Sequence, residues 1–568
     1  MGVNVRRTLL SLLVPAALCA APAMTMAATS PPQDRDWCGQ VPPTSSWSVK
    51  NVDVLCRVDT VRHTWNADGT LATDPATPSG YRETLTQAIS INFIDYGNPR
   101  PGQPAAAATR DVMFVAGRFG LKSFDITDPK HPKLLDWLGD GVDDPYLEDG
   151  NPGNGTQAPR KGTLDDMWEN EDMDVDADRK LVFLSRDPRA YGGSTGNPAS
   201  RSGIYVIDVR HPEKLDPISF AETPTGHTTT CVNDCKWVWT GGPAPNTDQQ
   251  ALGWAGRPIF VTDMRDPRNP KVNPVPVDTA RNDGVTDYAH DVQVDDSGVA
   301  WVSGRGGVRG YWTKGRHFDP VQGVHRVATA DDPVPYAGGG IQEGVFPVRS
   351  SSRFIHNSER PSGADAPDAK YGDLIFSTEE EFAGGAFPNG CANDGPLFIS
   401  SLEGSYGGEA WRSTPTSRFR LKPVATWHPF GKEGSSTSTD CSAHYFEIKD
   451  RILSMSFYSQ GSRFLDISDP TNPTEVAYFR PGTGTWATYP HKGLYYSADR
   501  NGVYILKLNV KAGQLSKSVD TSQLRAAVAA DADSPVSRVT FAAPDAAEEA
   551  SAALQRPVGG VCSLPLYE

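Results

Sequence analysis

Four histidines, His227, His290, His356 and His444, stand at matching places in a pattern that recurs along this chain. Imidazole is the commonest side-chain ligand for zinc, copper and non-haem iron, and four that converge would hold one such ion. The stretches around them align on the small hydroxyl residue that ends the following apolar run (Ser185, Ser303, Ser456). In that alignment His290-Asp291 fall opposite Glu171-Asp172, and His444 takes the same place. His227 and His356 join by motif rather than by strict spacing, and Trp486 takes the position in the last repeat. Glu171, Glu379 or Glu380 would supply carboxylates that fix histidine tautomers, and Arg186 and Arg305 would hold an anionic group. A structural alternative stays open. The histidines would then cap strand ends, bonding to backbone or to Asp291 and Asn357, and would be copied between repeats by duplication.

Other chemistry is thinner. The run Glu379-Glu380-Glu381 offers hard oxygens to Ca²⁺ or simply covers a loop. His491 reads as a solvated turn residue, and His131 and His211 belong to proline turns. No Gly-x-Ser-x-Gly elbow, phosphate-binding loop or dinucleotide fingerprint occurs in a suitable context.

The elements that must position these residues repeat. FDITDPKHPKLL from Phe124, YVIDVRHPEKLD from Tyr205, FVTDMRDPRNPKV from Phe260 and FLDISDPTNPTEV from Phe464 each read as strand, Asp-Pro or His-Pro turn, strand. A second hairpin precedes each, as in HDVQVDDSGVAWVS from His290 and HYFEIKDRILSMS from His444. Four antiparallel strands recurring in this way make a propeller blade. The expectation is an all-β chain: a single β-propeller of about seven four-stranded blades over residues 88–510. Residues 28–87 read as a loop-rich segment and 511–568 as a tail. Ala88–Tyr96 is expected to lend the first blade its inner strand or to close the ring. The histidines then lie at one mouth of the central channel, on the face that carries the long loops. Such a face on a rigid scaffold is where function concentrates.

The ends and the charge narrow the class. Arg6-Arg7, the apolar run Leu9 to Cys19 and Thr25-Met26-Ala27 form a signal peptide over residues 1–27, so the mature chain is expected in the periplasm or outside the cell. A net charge of −15 argues against nucleic acid, and no later run is long enough to span a membrane. Of 8 cysteines, loss of Cys19 leaves seven, which an oxidising compartment would pair. Cys231 with Cys235 suits a tight loop; Cys38 with Cys56 and Cys391 with Cys441 are further candidates, and Cys562 would stay free. A metal site at Cys231 and Cys235 is the alternative for that pair.

YVIDV at 205–209 and FLDIS at 464–468 resemble the strand motif of the LVIVD-repeat β-propellers. TGHTTTCVNDCKWVWTGG, FIHNSERP and DCSAHYFEI are similar to a bacterial exported subgroup of that family. The resemblance covers roughly 88–510 and implies the propeller and export, but no reaction. A four-histidine centre on seven blades is also similar in architecture, though not in sequence, to carotenoid-cleaving oxygenases. The expected function is therefore a binding or scaffold module whose long-loop face takes a protein, glycan or small molecule. The alternative is a metal-dependent, oxidoreductase-like enzyme with one Cu, Fe or Zn on the four histidines.

Overall fold

The computed structural model describes residues 38, 47–64, 66, 70–77, 80–97, 110–117, 119–139, 171–187, 202–242, 258–277, 288–305, 307–341, 354–380, 395–406, 420–429 and 442–513. These residues are all-β and propeller-like, with one single-turn 3₁₀ helix at Ala369–Tyr371. None of their helices is long and apolar enough to cross a membrane.

The strands run in antiparallel groups of four. The first sheet is Ala88–Tyr96, Arg110–Gly117, Gly120–Asp125 and Lys133–Gly139. The second is Asp174–Asp176, Leu181–Arg186, Gly203–Asp208 and Asp216–Glu222. The third is Thr228–Val232, Trp237–Gly241, Phe260–Asp263 and Lys271–Val272. The fourth (Tyr288–Val294, Val299–Arg305, Gly307–Trp312, Val334–Ile341) joins the fifth (Ile355–Glu359, Leu374–Glu379, Leu397–Ser401, Arg420–Trp427) through a short parallel pairing of Gly340 with Arg420. The sixth is Phe446–Lys449, Ile452–Ser456, Ser462–Asp466 and Thr474–Arg480, and the seventh holds Thr485–His491, Leu494–Asp499 and Gly502–Leu508.

The turn chemistry explains the repeats. In the first, second, third and sixth sheets the aspartate that closes the third strand accepts the amide two residues on: Asp125 from Thr127, Asp208 from Arg210, Asp263 from Arg265 and Asp466 from Ser468. Such Asx turns stop the strand and aim the chain back along the fourth. Between sheets the packing is apolar, with Phe114, Phe183, Trp239, Trp301 and Phe376 fully buried. Each such side chain contributes about 1.5–3 kcal/mol by leaving water.

One expectation is corrected. The segment read as loop-rich supplies strands: Val52–Asp59 pairs antiparallel with Gly502–Leu508 and completes the seventh sheet, and Ser48–Lys50 adds an edge to the sixth. The alternation Val52, Val54, Cys56, Val58 carries that signal, and a bulge between Val54 and Cys56 accommodates the disulfide from Cys56 to Cys38. Ala88–Tyr96 is the first strand of the first sheet. Deleting residues 47–59 leaves Gly502–Leu508 as an open edge. The expected result is aggregation or a fall in melting temperature on the order of 10 °C, read by scanning calorimetry.

Successive first strands lie against one another, third on fourth, fourth on fifth, sixth on seventh and seventh on first. The fifth reaches the sixth through the Ile448 amide, which donates to Glu359 at 3.2 Å. The faces of these strands enclose a common interior, and the site lies there.

Candidate metal centre

The strand starts are not regular. The pairing register slips between Ala289 and Asp291, between Ile355 and Asn357, and between Thr485 and Ala487. The residue left over in each bulge is His290, His356 or Trp486. His444 and Tyr445 likewise both face Ser456, which accepts from His444 and donates to Tyr445. A bulge re-aims the side chain it expels from the ladder, and here it turns imidazoles inward. The sequence shows no distinct mark for such bulges.

Hydroxyls and glycines then fix each histidine from the neighbouring sheet. Ser185 donates to the His227 carbonyl at 3.0 Å, Thr228 to that of His290 at 2.6 Å, and Thr378 to that of His444 at 2.7 Å. Gly242 has φ of +121°, and a Cβ there would stand 2.3 Å from that of His227. No larger residue fits beside this imidazole.

The result is two sets of donor atoms that share Glu171, one with His227 and His290 and one with His356 and His444. His227 Nε2 and His290 Nε2 are 3.0 Å apart. Glu171 Oε2 lies 3.3 Å from each and 3.2 Å from His356 Nε2, while Glu171 Oε1 is 3.5 Å from His444 Nε2. Glu380 stands behind at 3.9 Å from both His356 and His444, held by the Tyr458 hydroxyl. Tyr458 itself sits at φ of 36°, left-handed and costly for a tyrosine, with its ring against those of His444 and Trp486. All four histidines and both glutamates are buried.

The outer ring nitrogens decide the protonation. His290 Nδ1 faces the His356 carbonyl at 3.2 Å, and His444 Nδ1 the Trp486 carbonyl at 2.7 Å. A carbonyl only accepts, so both Nδ1 atoms carry hydrogen. His227 Nδ1 faces the Asp187 carboxylate at 3.0 Å. In a neutral His290 or His444 the Nε2 then carries no hydrogen. Burial pushes His290 down to about 4 against the pull of Glu171, and burial with His444 and His290 pushes His356 well below its ordinary value. Burial also opposes charge on Glu171, but His227 and His444 outweigh it and hold this carboxyl well below the usual range. Four Nε2 atoms therefore converge on an ionised carboxylate. His444 Nε2 and Glu171 Oε1 have no hydrogen-bond partner. An ion about 2.0–2.2 Å from its ligands sets them about 3.0–3.5 Å apart, which is the spacing from Glu171 to each imidazole and between His227 and His290.

Of the residues read from sequence, the structure brings Glu171, His227, His290, His356, His444 and Glu380 together. Asp172 and Asp291 lie at the next level inward, and the histidines are not capped by Asp291 or Asn357, whose side-chain oxygens have no hydrogen-bond partner. Glu379 is a paired strand residue whose N–H goes to the Pro396 carbonyl. Arg186 is buried at its strand end. The Arg305 side chain, Glu381, Cys391, Cys441, Cys562 and residues 1–27 and 514–568 lie outside the described residues. Cys231 and Cys235 form a disulfide, which removes the thiolate site proposed for them. His491 is not solvated but bound to Asp111 at 2.9 Å and stacked on Phe93. Asp187, Tyr458 and the Trp486 carbonyl escaped the sequence reading. Asp187 stands at the start of a long loop with no periodic signal.

No family model matches the chain, and no curated protein matches it either. Among solved structures it is similar to the periplasmic gluconolactonase PpgL of Pseudomonas aeruginosa, with a TM-score of 0.36 and 11% identity over 77% of this chain and 98% of that one. Of the two functions expected from the sequence, the buried histidine–glutamate knot favours the metal-dependent alternative over the docking scaffold.

Proposed function

We propose that this protein is an exported, metal-dependent enzyme of the oxidoreductase type, built on a single seven-bladed propeller with LVIVD-like repeats. The observation that carries the reading is the convergence of four Nε2 atoms on one buried carboxylate, with the outer nitrogens of three imidazoles committed to acceptors. The ligands would be His227, His290, His356, His444 and Glu171. Asp187 and the two carbonyls would fix the tautomers, and Glu380 would add a second negative charge that balances a divalent ion.

The donor set is imidazole with a hard oxygen and no thiolate or thioether, which suits iron better than Cu(I). Iron held there would supply one-electron chemistry. The chain's own residues exclude water from below and hold the imidazoles rigid. Substrate would approach from the long-loop face, where Arg186 or Arg305 would hold an anionic group.

The test is elemental analysis of tag-free mature protein, with its visible and electron paramagnetic resonance spectra. About one iron per chain is expected, followed by oxygen uptake in a substrate screen. Substoichiometric metal after incubation with iron, copper and zinc in turn would end this reading.

A further inference from the structure

The turn that joins the third strand to the fourth is residues 126–132, 209–215, 264–270 and 467–473 in the first, second, third and sixth sheets. In the fourth sheet the same connection runs over 313–333. It folds into a two-stranded ribbon, Arg316–Asp319 paired antiparallel with Val324–Val327. The ribbon leaves the sheet at the end away from the histidines. Tyr288 pairs with Arg305 beside His290, whereas Trp312 pairs with Val299 and Val334 at the opposite end.

A lone two-stranded ribbon is marginal in water, and this one is tied down. The Thr313 carbonyl accepts the Asn233 amide of the third sheet at 2.8 Å, and His317 stacks on Trp312 with ring centroids 4.0 Å apart. Asp319 is buried, ion-pairs with Arg326 at 2.6 Å and accepts the turn amides of Val321 and Gln322. Arg326 also donates to the carbonyls of Asp332 and Pro333.

What this framework holds outward is apolar. Phe318, Val321, Val324 and Val327 are 42%, 63%, 50% and 57% exposed. They do not share a face. Residues directly opposite in an antiparallel pair lie on the same side, so Phe318 and Val327 share the outer side with Arg316 and His325. Val324 lies on the reverse side with His317, and Val321 is in the turn. Lys314 and Arg316 are exposed at the base of the ribbon, and the acid between residues 313 and 328, Asp319, is buried in its ion pair. The exposed charge of the ribbon is therefore positive, on a chain of net charge −15.

We propose that this ribbon is a membrane-docking tip, which seats Phe318, Val321 and Val324 in the interface of an anionic lipid bilayer with Lys314 and Arg316 at the level of the headgroups. A groove on a protein covers one side of the segment it binds, and would leave either Val324 or the Phe318–Val327 side in water. A bilayer interface surrounds a tip on every side. Binding there grows with the apolar area buried and with the attraction of anionic lipid for cations. Charges more than about 8–10 Å away are screened at physiological salt, so the ribbon's own cations set that attraction rather than the net charge of the chain. Of the two acids that follow the ribbon, Asp332 is paired with Arg326 at 3.0 Å and Asp331 is exposed. Docking at this end leaves the histidine end of the sheet facing away from the bilayer.

The test is flotation of the full mature chain with vesicles of equal phosphatidylglycerol and phosphatidylcholine, beside vesicles of phosphatidylcholine alone. Binding to the anionic vesicles is expected, at least ~5-fold weaker on the neutral ones and weakened again by about 0.5 M salt. Phe318→Ser with Val321→Asp should cut binding to the anionic vesicles at least ~10-fold. Lys314→Ala with Arg316→Ala should cut it about 25-fold, near fivefold for each cation, and leave binding to neutral vesicles unchanged. Melting curves of both variants report that they fold. Wild-type protein that does not float, or flotation indifferent to both pairs of substitutions, would overturn the proposal. So would a wild-type dimer that does not float and that Phe318→Ser with Val321→Asp dissociates, which would give the ribbon to a second copy of this chain. Metal content is expected to be the same in all three proteins, so failure of the histidine centre and failure of this tip are separable.

Discussion

Glu171→Gln is expected to weaken metal binding by ~100-fold or more and yet leave the metal-free protein as stable as the metal-free parent, or more stable. The substitution keeps the shape of the side chain and removes its charge. Glutamine also brings two N–H donors to the point where His227, His290 and His356 aim their Nε2 atoms at 3.2–3.3 Å. An N–H that meets a lone pair is a hydrogen bond, whereas a carboxylate that meets a lone pair repels it. The opposite sign belongs to a structural knot. If the imidazoles were protonated and ion-paired to Glu171, loss of the carboxylate would strand buried charge and cost about 3–5 kcal/mol. Chelator-treated parent and variant, unfolded in urea side by side, separate the two. A metal-free variant less stable by that amount would refute the metal centre, whatever the metal content of the parent.

How much of this was legible beforehand follows from the kind of signal each feature leaves. The hairpins were readable because Asp125, Asp208, Asp263 and Asp466 do one local job, capping a turn two residues on. The four histidines and Glu171 were readable because repetition lines up strand starts, even though the bulges at His290 and His356 disturb strict spacing. The closing strand Val52–Asp59 was missed because its partner lies more than 440 residues away, and no local pattern reports a pairing at that distance. Asp187 and the Trp486 carbonyl were missed for a related reason. One is a loop residue and the other a backbone atom, and each acquires its role only when the next sheet arrives. Glu380 and Glu379 are adjacent in sequence, and strand alternation, invisible until the register is known, decides which of them faces the imidazoles.

Acid should remove the metal abruptly rather than gradually. A histidine of ordinary pKa near 6.5 would begin to lose its ion to protons just below neutrality. Here burial has already pushed His290 down to about 4 and His356 well below its ordinary value, so these two imidazoles are neutral in the metal-free protein. Binding at pH 7 then displaces no proton from these two groups. Metal loss through protonation of His290 is expected only near or below about 4. The same shift gives the metal-free protein a slope of definite sign. The unfolded chain takes up protons on these histidines below about 6.5 and the folded chain does not, so folding stability falls as pH drops through that window. For His290 the loss is complete near its folded value and amounts to about 3 kcal/mol. Imidazolium rings paired with Glu171 would have raised folded pKa values and so the reverse slope, with stability gained on acidification and lost as pH rises. Urea unfolding of chelator-treated protein at intervals between pH 4.5 and 7.5 reads that slope directly. A positive slope, with stability rising toward neutral pH, accords with neutral His290 and His356 arranged to await a cation, and a negative one means that the cations they were built around are their own protons.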